Sequence, residues 1–561
     1  MPADISDSRG KVVVLVVDDE KLIRMTISVR LKNVGYVPIA VASVDEAVHV
    51  LKAHLSMFSA IISDIMLGDM DGFDFRDIVR GLDANMPFFF ITALDPEEGS
   101  GFLKRILADP LSYYLPKSAG TDVLMKRLQR VVASRRIERF IDHQMEEARQ
   151  SLKLAAHIQR SMLPVRAFMN EKIFYSAWWQ PKDVVSGDMY EVIPVGDDMY
   201  VYVVGDIQGH GTSAALAMTA VQAFIKNIGN AVGGLGRDPV EIANLLQGFF
   251  RDNLADVSYM TALICLYDLA HGEVKWLSCG APDLIVSDTA PGARNRLKKG
   301  GLPIGMFPDT VYTIDDVVTE KLSEKSVCIA VTDGIFELSR DDDGFERIPV
   351  ELLRDLCVDF MHDAIDHGTV LVCASKYMVA CQEYGYVKLH DDVTIFLFGA
   401  RNVPDGIYEA TMTLSPTALD ETSQAMGSWC RAAGWTEEDV SCVQLVLEEK
   451  VMNVYDHGFD DVDRLHEVVS VRLAKRSADV ADLTVWDYGT PEPSLAVAGG
   501  DSSTAFELVN RQMSNHGRGR LMVRELCNGI ERKRFGCLNE TVYHVRLNGC
   551  KAEKELEIDK Q

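Results

Sequence analysis

Long apolar runs are missing from this 561-residue chain. Apolar runs such as 12–17 and that around 88–91 fall far short of the ~18 residues a bilayer crossing requires, so no membrane span is expected. Positive charge is scarce. With 57 basic against 83 acidic side chains, the formal net charge of −26 excludes a nucleic-acid binder that works by bulk phosphate attraction. Paired cysteines are missing too: the 11 cysteines form no CxxC and none precedes Cys265. They read as reduced packing thiols in a cytoplasmic chain. The opening MPADISDSRG lacks the apolar core of a signal peptide. What is present, 47% apolar and 25% charged residues, is an ordinary globular mixture. At roughly 150 residues per domain it is long enough for three to four domains.

The fold class expected is multidomain α/β and α+β. From Lys11 to about Arg130, the apolar segments VVVLVV, YVPIAV, AIIS, FFFIT and SYYL alternate with helical patterns such as DEAVHVLKAHL. That is the rhythm of a doubly wound parallel sheet, assigned to 1–130. Residues 124–162 lack glycine and proline. There Ile141, Met145, Ala148, Leu152, Ala155, Gln159 and Met162 recur at spacings of four and three, a short helical seam within a linker at 131–165. The seam either pairs two chains as a homodimer or docks on its own domain. In 166–402, strand-like YVYVVGD, YMTALICLYDL, EVKWLSCG, SVCIAVTDG and DVTIFLFGA predict antiparallel sheets covered by helices. In 403–550, a helical pattern ending LVLEEKVMNVYDHGF and strands VVSVRLA, DLTVWDYG and VYHVRL predict a helix layer on one mixed sheet. The tail 551–561 is charged and solvated.

Asp18 and Asp19 end the first strand and Asp64 the third, at the carboxyl edge where open α/β sheets bind ligands. Three carboxylates there call for a cation, while Thr92 and Lys117 at the same edge suit phosphate oxygens. These positions resemble the receiver domain of two-component response regulators. The resemblance implies that Asp64 accepts a phosphoryl group and that Asp18, Asp19 and the Met66 carbonyl hold Mg²⁺. Thr92 and Lys117 then contact the phosphoryl oxygens and Tyr114 is the aromatic switch. Gly68 stands where the family usually has proline.

Asp188, Asp206, Asp333, Asp391 and Asp392 each sit where an apolar run stops. Hard oxygen ligands without clustered Cys or His favour Mg²⁺ or Mn²⁺ over Zn²⁺. Two such ions can activate water for attack on a phosphate ester. The motifs GDMY, DIQGHGTSAAL, GLPIGM, TDGIFE and DDVT resemble the SpoIIE and RsbU branch of PP2C-like (PPM) serine phosphatases, a β-sandwich with flanking helices. By resemblance Asp206 bridges two metals beside the Ile207 carbonyl, Asp333 and Asp391 complete the shell, and Asp188 binds the second metal directly or through water. Glu191 replaces the second Asp of the family's GDxxD and could alter water positioning. His210 in GHG reads either as a general acid or as a turn histidine. The stretch LKLAAHIQRSMLP matches the family's linker, with His157 as a packing residue.

Glu449 and Asn453, four apart, share one helical face. Asp487 ends a strand in VWDYGTP, and NHGRGRLMV opens a helix whose N–H groups suit phosphate. Together these resemble the GHKL ATPase fold, an α/β sandwich, in its anti-sigma-factor serine kinase branch. The resemblance implies Glu449 as general base, Asn453 as Mg²⁺ ligand, Asp487 and Gly489 at the adenine of ATP, and Gly517, Arg518 and Gly519 at the phosphates. Arg518 and Arg520 either neutralise phosphate or are solvated.

The domain order resembles HsbR-type partner-switching regulators. It implies a phosphatase acting on a phosphoserine of a STAS-domain anti-sigma factor antagonist and a kinase acting on the same or a related antagonist. A histidine kinase or phosphotransfer protein acts upstream, and a sigma factor or anti-sigma factor is a further partner. An alternative makes the C-terminal module a non-catalytic clamp on a sigma factor or STAS protein. A hybrid histidine kinase would need a phosphoacceptor-histidine helix, which the sequence does not supply.

Overall fold

The computed structural model describes residues 12–68, 70–92, 104–106, 108–117, 121–230, 238–254, 258–287, 300–323, 325–353, 355–356, 370–401, 403–459, 467–490, 517–535 and 538–547; the side chains of residues 92, 121, 136, 139, 230, 370, 517–521 and 535 lie outside that set. The chain forms two compact units, Met1–Gln150 and Ser151–Gln561.

In the first unit, strands β1 (Val13–Val17), β2 (Val37–Val41), β3 (Phe58–Asp64), β6 (Phe88–Thr92) and β7 (Ser112–Pro116) make a parallel sheet in the order β2–β1–β3–β6–β7. A two-residue ribbon, β4 (Met66–Leu67) with β5 (Met70–Asp71), follows β3. Gly68 turns that ribbon at φ 73°, a conformation closed to the proline usual there. Because both faces of the central strands are covered, they read as unbroken apolar runs. Helices Val44–His54 and Gly72–Leu82 bury Leu51, Phe75 and Val79 on one face. Helix Lys21–Asn33 and the first turns of Thr121–Met162 bury Ile27, Leu31, Leu124 and Leu128 on the other.

The helix expected as a separate linker is continuous with the sheet-packing helix before it: Thr121–Met162 runs 42 residues. Nothing in 124–162 breaks it, since both glycine and proline are absent. Ile141 and Met145 of the seam are 49% and 66% exposed, whereas Gln159 is 2% exposed and Leu163 is buried. The end of the seam therefore packs on its own domain.

The second unit opens with an antiparallel sandwich. One sheet orders β10 (Asp188–Pro194), β11 (Met199–Ile207), β12 (Met260–Asp268), β13 (Glu273–Cys279) and β15 (Val317–Lys321). The other orders β14 (Ile285–Ser287), β16 (Val327–Val331), β17 (Val393–Ala400), β9 (Ile173–Gln180) and β8 (Ala167–Met169). Aromatic rings lock the two sheets face to face, with Tyr202 and Phe398 4.1 Å apart and Tyr175, Tyr190 and Phe396 beside them. Helices Thr212–Asn230 and Pro239–Asn253 cover the first sheet, and Cys373–Glu383 covers the second.

Beyond it, β18 (Ile407–Thr413), β19 (Val468–Lys475), β20 (Val480–Asp487), β21 (Cys527–Phe535) and β22 (Leu538–Arg546) form a sheet in the order β18–β19–β20–β22–β21. The mixed sheet expected here is corrected: every pairing is antiparallel. Short hairpins join β19 to β20 and β21 to β22, too short for the crossover a parallel pair needs. Helices Pro416–Ala432 and Glu437–His457 bury one face through Met426, Val443, Leu447 and Val451. The tail 551–561 lies outside the described residues. The eight described cysteines are buried and unbridged, and no described helix is long and apolar enough to cross a membrane.

Candidate functional sites

At the carboxyl edge of the first unit's sheet, the Lys117 ammonium lies 2.6 Å from Asp64 Oδ2 and 3.3 Å from both Asp18 Oδ2 and Glu20 Oε1. Asp64 Oδ1 accepts the Ile65 N–H at 2.7 Å and the Met66 N–H at 3.4 Å, so the turn after β3 aims this carboxylate. Burial lifts the Asp18 carboxyl above its ordinary range against the pull of the Glu20 N–H and Lys117. Burial alone would lower Lys117, but hydrogen bonding to Asp64 and the charges of Asp64 and Asp18 outweigh it and raise the ammonium. One oxygen each from Asp18, Glu20 and Asp64 lie within 4.8 Å of one another. Three carboxylates against one lysine leave net negative charge that suits a hard cation. Asp19 and Glu20 are both exposed, and Glu20, not named from the sequence, joins Asp18 and Asp64 in that group. Met66 is 65% exposed, Tyr114 is half-buried in β7, and the Thr92 side chain lies outside the described residues.

In the sandwich, antiparallel register sets Asp188 directly opposite Asp206. Asp333 follows the end of β16 and Asp391 precedes β17, its neighbour in the facing sheet. Burial raises the Asp206 carboxyl well above its ordinary range, and Asp188, Asp333, Asp391 and Asp392 raise it further. Asp188 is raised likewise, by burial and then by Asp392; hydrogen bonds from Thr394 and Thr332 pull it back. Both hydroxyls donate to Asp188 Oδ2 at 2.7 Å, leaving Oδ1 buried without a hydrogen-bond partner. That orphaned oxygen in a pocket of mutually repelling carboxylates fits bound divalent cations.

Asp392 has another task, since its carboxylate accepts the Lys182 and Gly187 N–H groups, both at 2.7 Å. It ties down the loop carrying Asp188 and leaves Asp391 as the outward acid. The chain comes close here: a Cβ on Gly187 would lie 2.8 Å from the Ile207 carbonyl oxygen, and one on Gly334 1.9 Å from the Asp392 carbonyl oxygen. His210 sits between Gly209 at φ 91° and Gly211 at φ 81°, the tight turn its glycines predicted, with Nδ1 3.3 Å from exposed Asp183. Glu191, the longer carboxylate of the GDMYE motif, is engaged by neighbouring side chains. It is buried 3.3 Å from Gln222 Nε2 and 3.7 Å from Lys226 Nζ, both of which donate to the Met162 carbonyl where the long helix ends. Gln159 joins there: its amide donates to the Ser186 and Ala215 carbonyls and accepts the Ser186 N–H, two residues from Asp188.

In the C-terminal sheet, Asp487 Oδ1 accepts the Gly489 N–H at 3.0 Å and the Asn539 amide at 2.8 Å, while Lys450 Nζ lies 3.0 Å from Oδ2. Lys450 and Asp487 are both nearly inaccessible. Asn453 Nδ2 reaches Glu449 Oε1 at 3.5 Å on the same helix. Gly489 lets the strand end approach the helix terminus, where a Cβ would sit 3.0 Å from the Gly458 Cα. Gly517, Arg518 and Gly519 open helix Gly517–Leu526 as the motif predicted, their side-chain positions lying outside the described residues. Lys450 and Asn539 were missed in the sequence, as were Thr332 and Thr394. Two signals were available: Lys450 falls on the apolar stripe of Leu447, Val451 and Val454, where a lysine needs an anion, and both threonines lie inside recognised motifs, Thr332 opening TDGIFE and Thr394 closing DDVT.

Three family models match in succession. A response regulator receiver domain matches residues 14–129, Stage II sporulation protein E (SpoIIE) matches 196–401, and a histidine kinase-like ATPase domain matches 412–545. Asp188 precedes the second match. The phosphoserine phosphatase RsbP of Bacillus subtilis is 25% identical over 191 residues, 34% of this chain and 46% of that protein. Protein IcfG of Synechocystis is 23% identical over 210 residues, 33% of this chain and 32% of that protein. The chain thus spans about a third to a half of the length of these curated relatives. Among solved structures, the RsbU and RsbW domains of a Mycobacterium tuberculosis protein are 18% identical, covering 68% of this chain and 96% of that one with a TM-score of 0.37. The SiaA-PP2C domain of Pseudomonas aeruginosa is 24% identical, covering 46% and 98% with a TM-score of 0.38.

Proposed function

From a chain that joins a response regulator receiver domain, a SpoIIE-type PP2C phosphatase domain and a histidine kinase-like ATPase domain in that order, we propose a receiver-controlled phosphoserine phosphatase of a partner-switching pathway. Its substrate is a STAS-domain anti-sigma factor antagonist, and its C-terminal domain phosphorylates the same or a related antagonist with ATP. The observation that carries this reading is the acid edge of Asp188, Asp206, Asp333 and Asp391, where burial and mutual repulsion hold Asp188, Asp206 and Asp391 above their ordinary range. Divalent cations bound there, Mn²⁺ or Mg²⁺, would neutralise the carboxylates and supply an acidified water for phosphate-ester hydrolysis. Thr332 and Thr394 orient Asp188, and Asp392 holds its loop.

In the receiver, Asp64 is the phosphoacceptor and Lys117 meets the added charge. Asp18, Asp64 and Glu20 are the carboxylates placed to hold Mg²⁺, with Asp19 and the Met66 carbonyl the further ligands proposed from family likeness. In the ATPase domain, Glu449 is the base and Asn453 the Mg²⁺ ligand. Opposed activities running together would only consume ATP, so Asp64 phosphorylation is the switch that biases them. A histidine kinase or phosphotransfer protein supplies the phosphoryl group. A second reading, a non-catalytic clamp on a sigma factor or STAS protein, is favoured by one observation: Asp487 is already engaged by Lys450, Asn539 and Gly489. ATP consumption in the presence of a STAS antagonist separates the two. Phosphoserine formed on the antagonist by the wild type and lost in Glu449→Ala supports the kinase; none with either supports the clamp.

A further inference from the structure

One residue beyond Asp487, between it and Gly489, the chain touches the phosphatase half. The Tyr488 hydroxyl hydrogen-bonds Ser375 Oγ on helix Cys373–Glu383, and the Arg166 guanidinium lies 5.0 Å from the Tyr488 ring. Arg166 also pairs with Glu467 at 3.9 Å, immediately before β19. Around this point Val372, Trp486 and Leu538 form a buried cluster against Tyr488. Lys376 stands 3.3 Å from Glu540 and 5.7 Å from the Trp486 ring, and Trp486 Nε1 donates to Glu540 at 2.8 Å. The strand end 486–489 thus has two sides. Asp487 and Gly489 are knitted to Lys450 and Asn539, while Trp486 and Tyr488 are held by the phosphatase domain.

The phosphatase contacts lead to informative places. Ser375 lies on the helix that packs over the sheet containing β16 and β17, the two strands that flank Asp333 and Asp391. Arg166 follows the end of the long helix by four residues, and its carbonyl accepts the Ala177 N–H at 2.7 Å.

We propose that the ATPase domain has a further function as a nucleotide sensor for the phosphatase, with an adenine nucleotide at Asp487 as the effector and Tyr488 as the joint that transmits occupancy. The inference rests on reading the C-terminal domain as nucleotide-binding. Asp487 Oδ2 is the oxygen at issue: Lys450 Nζ lies 3.0 Å from it, and the exocyclic amine of a bound base would compete with that ammonium for it. Such competition by a neutral donor would change the charge balance one residue from the clamped tyrosine, beside Gly489, whose N–H bonds the same carboxylate. By linkage, a nucleotide that alters phosphatase substrate binding must have its own affinity altered by the same factor.

The test uses the full-length Mn²⁺-loaded protein and p-nitrophenyl phosphate, a substrate outside any kinase cycle. Hydrolysis is measured without nucleotide, with ADP, and with a non-hydrolysable ATP analogue, while binding of a fluorescent ADP is followed in parallel. The wild-type rate is expected to change by about fivefold at saturating nucleotide. In Ser375→Ala the nucleotide-free rate and the ADP affinity persist and the nucleotide effect collapses towards one. Tyr488→Phe removes the same hydrogen bond from the other side and must give the same loss of effect. Hydrolysis and nucleotide binding both intact, but rates identical with and without nucleotide, overturns the sensor while leaving the proposed function standing. A full nucleotide effect in both variants overturns Tyr488 as the joint. Absence of hydrolysis or of nucleotide binding in the wild type overturns the underlying reading and the sensor with it.

Discussion

Asp188 illustrates how much of this molecule's chemistry turns on second partners. Its carboxylate is costly to bury, and two threonine hydroxyls keep it closer to the charged form that a cation needs. Thr332→Val with Thr394→Val is expected to raise the Mn²⁺ concentration for half-maximal activity by about tenfold or more, read from metal titrations of hydrolysis. Gly334 is a steric counterpart, because a Cβ there would fall 1.9 Å from the Asp392 carbonyl oxygen. Gly334→Ala should displace the Asp391–Asp392 turn and abolish hydrolysis while circular dichroism stays near wild type. Glu409 tests burial alone: it faces Arg472 across β18 and β19 at 3.8 Å, and burial, only partly offset by Arg472 and Arg401, pushes its carboxyl up to about 8. Below pH 4.5 the carboxyl is protonated in both folded and unfolded chains. As pH rises from there towards 8, unfolding releases a proton that folding retains, so stability falls. Thermal melts should show the wild type losing more Tm than Glu409→Gln between about pH 5 and 8, with stability falling by at most roughly 1.4 kcal/mol for each pH unit crossed. Parallel slopes would contradict this.

At the scale of elements, the long helix Thr121–Met162 is the part with most to transmit. Its last turn is fastened by Gln159 to Ser186 and Ala215, and by Gln222 and Lys226 to the Met162 carbonyl. Gln159→Ala leaves buried backbone groups unsatisfied, a loss of about 1–3 kcal/mol. It should cost phosphatase activity its dependence on a phosphoryl donor more than its nucleotide-free, donor-free level. Equal donor response in variant and wild type would sever this helix from the switch. The helix and the strands were readable in advance because each rests on local pattern: a stretch without breakers, or an apolar run that stops at an aspartate. The antiparallel order of β18 to β22 was not, because strand direction depends on which segments meet. Lys450 with Asp487 and Asp487 with Asn539 were illegible as pairs for the same reason, being partners 37 and 52 residues apart with no shared period. Glu20 beside Asp18 and Asp64 at the receiver edge was not named from the sequence, because the pair of aspartates that marks the site does not say which neighbouring carboxylate joins them.

For the whole molecule, the proposed function gives a phosphoryl input to one unit and two opposed outputs to the other. The most direct measurement is Mn²⁺-dependent hydrolysis of a phosphorylated STAS antagonist by the full-length protein, with and without acetyl phosphate, beside Asp206→Ala and Asp64→Ala. Asp206→Ala is expected to abolish hydrolysis, and acetyl phosphate to change the wild-type rate while leaving Asp64→Ala unaltered. Equal responses of wild type and Asp64→Ala to the donor, or hydrolysis that survives Asp206→Ala, would contradict the receiver-controlled phosphatase.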